Sequence, residues 1–132
     1  MTTLSPFGVT AGAGSLRPVA GVTLPHTWTT DGIVGHPASN GAQVLHLAVA
    51  VCVLDDTFRE ALELGIEVTG VAATADGTFD DGWRSTGIVY TLTVDSPAAA
   101  DDIARLVARV DDVAEIPQAL RAGTDVRRST GD

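Results

Sequence analysis

The longest apolar stretch of the chain, Ala42 to Leu54, reads at the period of a helix and not of a strand. Val44, Leu47, Val51, Leu54, Phe58 and Leu62 recur at spacings of three and four, which predicts a helix extending to Leu64. Ser39 or Asn40 can cap its start, and Gly65 is placed to stop it in a left-handed turn. Val49, Ala50 and Val53 make the first half apolar on nearly every side. Such a helix is expected to be buried all round, and in so small a protein a second subunit is the economical way to bury it.

Two alternating segments, 66–75 and 86–94, predict strands, with Asp76-Gly77 and Asp81-Gly82 as turns between them. Ser96-Pro97 reads as the start of a second helix with Ile103, Leu106, Val107 and Val110 on its apolar face. Ala114 to Arg121 predicts a short last helix stopped by Gly123. Residues 1 to about 40 are rich in Gly, Thr, Pro and Ser and read as a meander of short strands, among them Gly21-Val-Thr-Leu24. The expected class is α+β, as one domain over 1–132 with no repeat.

Composition narrows the partners. All eight cationic residues are Arg, and the net charge of −9 leaves no basic stripe for nucleic acid or an anionic membrane. Arg-only cations with abundant Ala, Val, Thr, Asp and Gly fit a GC-rich bacterial genome such as an actinobacterium's. No signal-peptide pattern is visible, and the apolar run is too short to span a bilayer, so a cytoplasmic protein is expected. One cysteine, Cys52, excludes an internal disulfide or a CxxC motif.

The helix with its buried cysteine after an Asn-containing start resembles the OsmC/Ohr family of bacterial thiol peroxidases. Gly21-Val-Thr-Leu24 is similar to the family's early Gly-Val-x-Leu strand. Asn40 through Cys52 is similar to its Asn-Pro-Glu-x-Leu…Ala-Ala-Cys helix, and Ala104-Arg-Leu-Val-Ala-Arg to Leu120-Arg-Ala-Gly123 to its closing segment. The resemblance covers about Val9 to Val126 and implies an intertwined homodimer, with two long helices back to back between antiparallel sheets and a pocket at each subunit boundary. It also implies four catalytic parts: a peroxidatic thiolate, an Arg that lowers its pKa, a Glu that holds the Arg, and a resolving Cys. Cys52 matches the first. The Glu position falls at Ala42, the resolving Cys at Ala114 and the Arg near Gly12 or Ala13, with Arg17 the nearby candidate.

The candidate catalytic residues are therefore Cys52, Arg17 and His46. Cys52 is either an inert core thiol, which an apolar setting makes less acidic, or the nucleophile of a one-Cys peroxidase resolved by an external thiol. His46, six residues earlier, points away from the thiol; it is either a hydrogen-bonded core or interface group or a pocket acid/base. His26, Trp28, His36 and Asn40 are candidate pocket-lining residues; Trp83, another loop aromatic, packs over a core edge or walls a ligand site. The histidines lack metal-ligand spacing, so neither metal nor cofactor is expected. Asp55 and Asp56 are expected on a solvated helix surface. Three functions remain open. The first is a repurposed dimer pocket that binds or converts a hydrophobic small molecule, for example a cyclase or isomerase of bacterial secondary metabolism. The second is a one-Cys peroxidase for organic hydroperoxides, and the third a structural or regulatory dimer.

Overall fold

A computed structural model describes residues 3–131. Its elements are β1 (Val9–Gly14), β2 (Val22–Leu24), β3 (Ile33–His36), α1 (Gly41–Leu64), β4 (Gly70–Phe79), β5 (Ser85–Asp95), α2 (Ala100–Val113) and α3 (Glu115–Ala122). The strands form one antiparallel sheet in the order β2-β3-β1-β4-β5, and the helices gather on it as an α+β architecture.

The sequence marks both ends of α1. Asn40 caps it by accepting the Gln43 amide at 2.9 Å, and Gly65 stops it at φ 69°. Its sheet-facing side carries His46, Leu47, Ala50, Val53, Leu54 and Phe58, packed on Val9, Ala11, Val71, Ala73 and Ala75. Small residues on the strands let a thick helix approach closely. A side chain at Gly35 would meet Leu47 at 2.5 Å. On another side Leu106 and Val110 of α2, both fully buried, close the core over α1.

Four expectations bear on this fold, and the last three change. First, one chain alone does not cover α1 all round, which leaves its expected burial to a second subunit: Val44 is 50 % exposed and Leu62 69 %, with Ala48 also open. A single chain covers the sides of α1 that meet the sheet and the other helices and leaves this apolar stripe bare. Second, Asp76-Gly77 is no turn. Gly77 pairs with Ile88 inside the β4–β5 ladder, and Asp76 is held by the amide and hydroxyl of Ser5 from 71 residues away. The reversal comes only at 80–84, where the Asp80 carboxylate accepts the amides of Gly82 and Arg84. Third, the strand predicted over 66–75 begins at Gly70, because Ile66 turns back to the carbonyl of Ala61 to cap α1. Fourth, Ser96-Pro97 precedes α2 and does not begin it, since the Ser96 hydroxyl donates to the Glu67 carbonyl and accepts from Ala98. By length and composition α1 could cross a membrane, yet it packs on the sheet and buries Gln43, His46, Asp56 and Glu60, as a core helix does.

Candidate functional site

Leu45, Val49, Cys52, Asp56 and Arg59 follow one another at spacings of four, three, four and three, so they share a face of α1. That face meets the junction of α2 and α3. Ala114 is extended at φ −64°, ψ 123°, ends one helix and begins the next, and sends Glu115 and Ile116 against the cysteine.

Cys52 is half-buried. Its sulfur accepts the Ile116 N–H at 3.5 Å and lies 3.8 Å from Asp56 Oδ2 and 3.7 Å from Glu115 Oε1, to which the thiol can donate. Burial pushes the thiol pKa up to about 11; the Ile116 amide opposes this, and the two carboxylates add to it. Among the described residues no Arg or His side chain hydrogen-bonds to the sulfur.

The cation nearest this group binds the carboxylates instead. Arg59 reaches Asp56 at 3.2 Å, Glu60 at 2.9 Å and Glu115 at 3.1 Å, and Arg109 reaches the other oxygen of Glu60 at 2.9 Å. Three carboxyl groups thus face two guanidiniums, one positive charge short of balance. Asp56, 3 % exposed, is the carboxyl that burial drives toward its protonated form. Burial first, and then its hydrogen bond with Glu115, raise its pKa to about 7. Glu115 is held below its ordinary value by that same hydrogen bond and by Arg59. The expectation that Asp55 and Asp56 are both solvated therefore fails at Asp56. The donor atoms of Cys52, Asp56 and Glu115 lie within 4.8 Å of one another. A metal ion there would have to displace Arg59 and the thiol proton, so these residues fit a proton-sharing cluster better than a metal.

The other candidates stand apart. Arg17 is exposed in the β1–β2 turn and donates to the Asp31 carbonyl at 3.1 Å. His46 is fully buried, bonds through Nδ1 to the Phe7 carbonyl at 2.8 Å, stacks on Phe79, and leaves Nε2 without a partner. The His26 ring packs between Trp28 and Phe58, takes the Thr29 hydroxyl on Nδ1 at 2.6 Å and places Nε2 3.1 Å from Asp55. Burial lowers the His26 pKa, and the neighbouring Asp55 opposes that. Trp28 lines a shallow recess with Phe58 and Leu62; His36 is exposed at the end of β3, and Asn40 serves as the α1 cap. Trp83, 70 % exposed, leans on Phe79 at the hairpin tip. The residues that sequence reasoning missed are Arg59 and Glu115. Cys-x3-Asp-x2-Arg at helical spacing was a visible signal for Arg59; nothing local marked Glu115, 63 residues after the cysteine.

The fold and site define a class: a long cysteine-bearing helix laid on an antiparallel sheet, with later helices packed on it beside the thiol. A family model described as OsmC-like protein matches residues 35–128, and the chain belongs to that family. Among solved structures it is similar to an OsmC-like hydroperoxide resistance protein from Jannaschia sp. CCS1. The identity is 12 %, the match covers 95 % of this chain and 94 % of that one, and the TM-score is 0.54. Comparison with curated proteins finds no match.

Proposed function

We propose that this OsmC-like chain is a single-domain cytoplasmic homodimer that has left peroxidase chemistry and binds or converts a hydrophobic small molecule in a pocket at the subunit boundary. The observation that carries this reading is the surroundings of Cys52. A peroxidatic thiol attacks the O–O bond as thiolate, and a thiol with a pKa of about 11 is ionised to only about one part in ten thousand at pH 7. The chain segment around Ala114, where the family resemblance puts a second thiol, does reach Cys52, but it brings the carboxylate of Glu115. Ala42 takes the place of the Glu that would hold an activating Arg. The dimer is supported by the bare stripe of α1, where Val44, Ala48 and Val51 adjoin Val22 and Leu24 along an apolar groove of about 360 Å³.

The test is reduction of cumene hydroperoxide with a dithiol, native protein against Cys52→Ser, with the mass in solution measured by light scattering. We expect a dimer and no turnover that depends on Cys52. Turnover lost in Cys52→Ser would instead establish the second reading, a one-Cys organic hydroperoxide peroxidase. Family membership and the hydroperoxide-resistance neighbour favour that reading, and Arg17 would then have to leave Asp31 to reach the thiol.

A further inference from the structure

We propose that the cavity between α1, β5 and α3 is the ligand site and takes a monocarboxylate with an apolar chain, its head group on Arg121. This rests on the small-molecule reading, moves its site from the subunit boundary to a cavity lined within one chain, and names the ligand class.

The cavity has a volume of about 270 Å³ and is walled by Leu45 and Val49 of α1, Ile88 and Tyr90 of β5, and Leu120 and Arg121 of α3. It occupies the same α1–α3 seam as Cys52. Leu45 and Val49 precede the cysteine on one helix face, and Leu120 lies one turn beyond Ile116, whose amide touches the sulfur. The walls are mostly apolar, with Ser85, Tyr90 and Arg121 as the polar side chains, so an apolar body is the favoured filling. The volume equals that of about nine waters, room for a chain of roughly eight carbons.

The polar element at the wall is built. Asp111 Oδ1 accepts the Tyr90 hydroxyl at 2.6 Å and an Arg121 N–H at 3.3 Å, so one carboxylate holds both the phenol and the guanidinium at the cavity. Arg121 spends one of its five N–H donors there and keeps a planar fork for a carboxylate. Arg121 and Asp111 together are neutral, so a singly charged head group meets less uncompensated charge here than a phosphate dianion, which has no second guanidinium to offset it. Tyr90 has its proton committed to Asp111, and the Ser85 hydroxyl, which accepts the Gly87 amide, is the other side-chain donor at the wall.

The experiment is calorimetric titration of the full-length protein with octanoate, and with octan-1-ol as the neutral chain of equal length. The variants are Arg121→Gln and Leu120→Trp, the latter at a position 37 % exposed, so that it narrows the cavity without loading the core. We expect octanoate to bind the native protein a few-fold more tightly than octanol, because the Arg121 side chain is 56 % exposed and water screens it. Arg121→Gln should bring the two level, and Leu120→Trp should weaken both. Equal affinity of the two in native protein, or octanoate binding unchanged in Arg121→Gln, would overturn the carboxylate assignment while leaving a hydrophobic ligand in place. Binding of neither would remove this cavity as the site. Cys52-dependent peroxide turnover would overturn the parent reading independently of any of these results.

Discussion

The two sides of α1 bury polar groups in opposite ways. On the sheet side His46 is sealed by Phe7, Phe79 and Gly77, with one fixed hydrogen bond and one bare nitrogen. On the α3 side Cys52 and Asp56 sit among Glu115, Arg59, Glu60 and Arg109, where each charge is held by another. Solvent does not reach the closed side. The seam is half open, contains a carboxyl that titrates near neutrality, and adjoins a cavity. The two sides therefore differ in openness and in charge: His46 is sealed in packing, and the seam holds the ionisable cluster.

The largest expected break in this contrast is Arg59→Leu. It strips three carboxyl groups of a shared cation, two of them on residues only 3 % and 6 % exposed. Removing one partner of a buried ion pair costs about 3–5 kcal/mol; since the Arg59 side chain is itself 40 % exposed, a loss of about 2–3 kcal/mol is expected from urea unfolding. An unchanged urea midpoint would mean that the cluster is surface decoration.

Next in size is a pH dependence. Asp56 is raised in the folded protein above its ordinary value of 3.8, so the native state holds this proton more tightly than the unfolded chain does. Its contribution is complete below about pH 4 and is lost as pH rises through about 7. Urea midpoints measured from pH 4.5 to 8 should fall more steeply in native protein than in Asp56→Asn, in which this titration is absent. Equal slopes would place the proton elsewhere. Glu115, lowered by the same hydrogen bond, acts with the opposite sign and only near and below its own ordinary range.

His46→Leu is expected to cost less. It keeps an apolar side chain of similar length and gives up the bond to the Phe7 carbonyl, worth about 1 kcal/mol, with no partner stranded at Nε2. Urea unfolding of this variant checks the loss, and an unchanged midpoint would mean that the bond to Phe7 contributes nothing to stability.

What was legible in the sequence follows the range of the interactions. The ends of α1 could be read at Asn40 and Gly65 because a cap is a contact of three or four residues. The helix, the β4–β5 hairpin and the two later helices could also be read, and the ordered resemblance to OsmC/Ohr proteins agrees with the family match. Asp76-Gly77 misled because its carboxylate answers to Ser5, far off in the chain. The same reason hid the candidate site. Asp56 beside Asp55 has the local signature of a wet helix surface, and only the return of Glu115 and Arg109 buries it in a charge network. Val44 shares the helical spacing of Leu47 and Leu54, yet period cannot say which apolar side of α1 the sheet will cover.

The smallest predicted effect tests the thiol itself. The rate at which iodoacetamide alkylates Cys52 should follow the thiolate fraction, rising about tenfold per pH unit from pH 7 towards the pKa of about 11 without a plateau near neutrality. Glu115→Gln removes one of the negative charges that resist ionisation and leaves the Ile116 amide in place. Because the Glu115 side chain is 58 % exposed, water screens much of its influence, and only a few-fold faster reaction at pH 8 is expected. The sign is what matters here. If the carboxylates suppress the thiolate, neutralising one must speed alkylation. If instead the variant slows it, Glu115 is holding Arg59 where the guanidinium favours the thiolate. The seam would then be an activated peroxidase site, and its contrast with the sealed His46 side would be one of catalytic power as well as of openness.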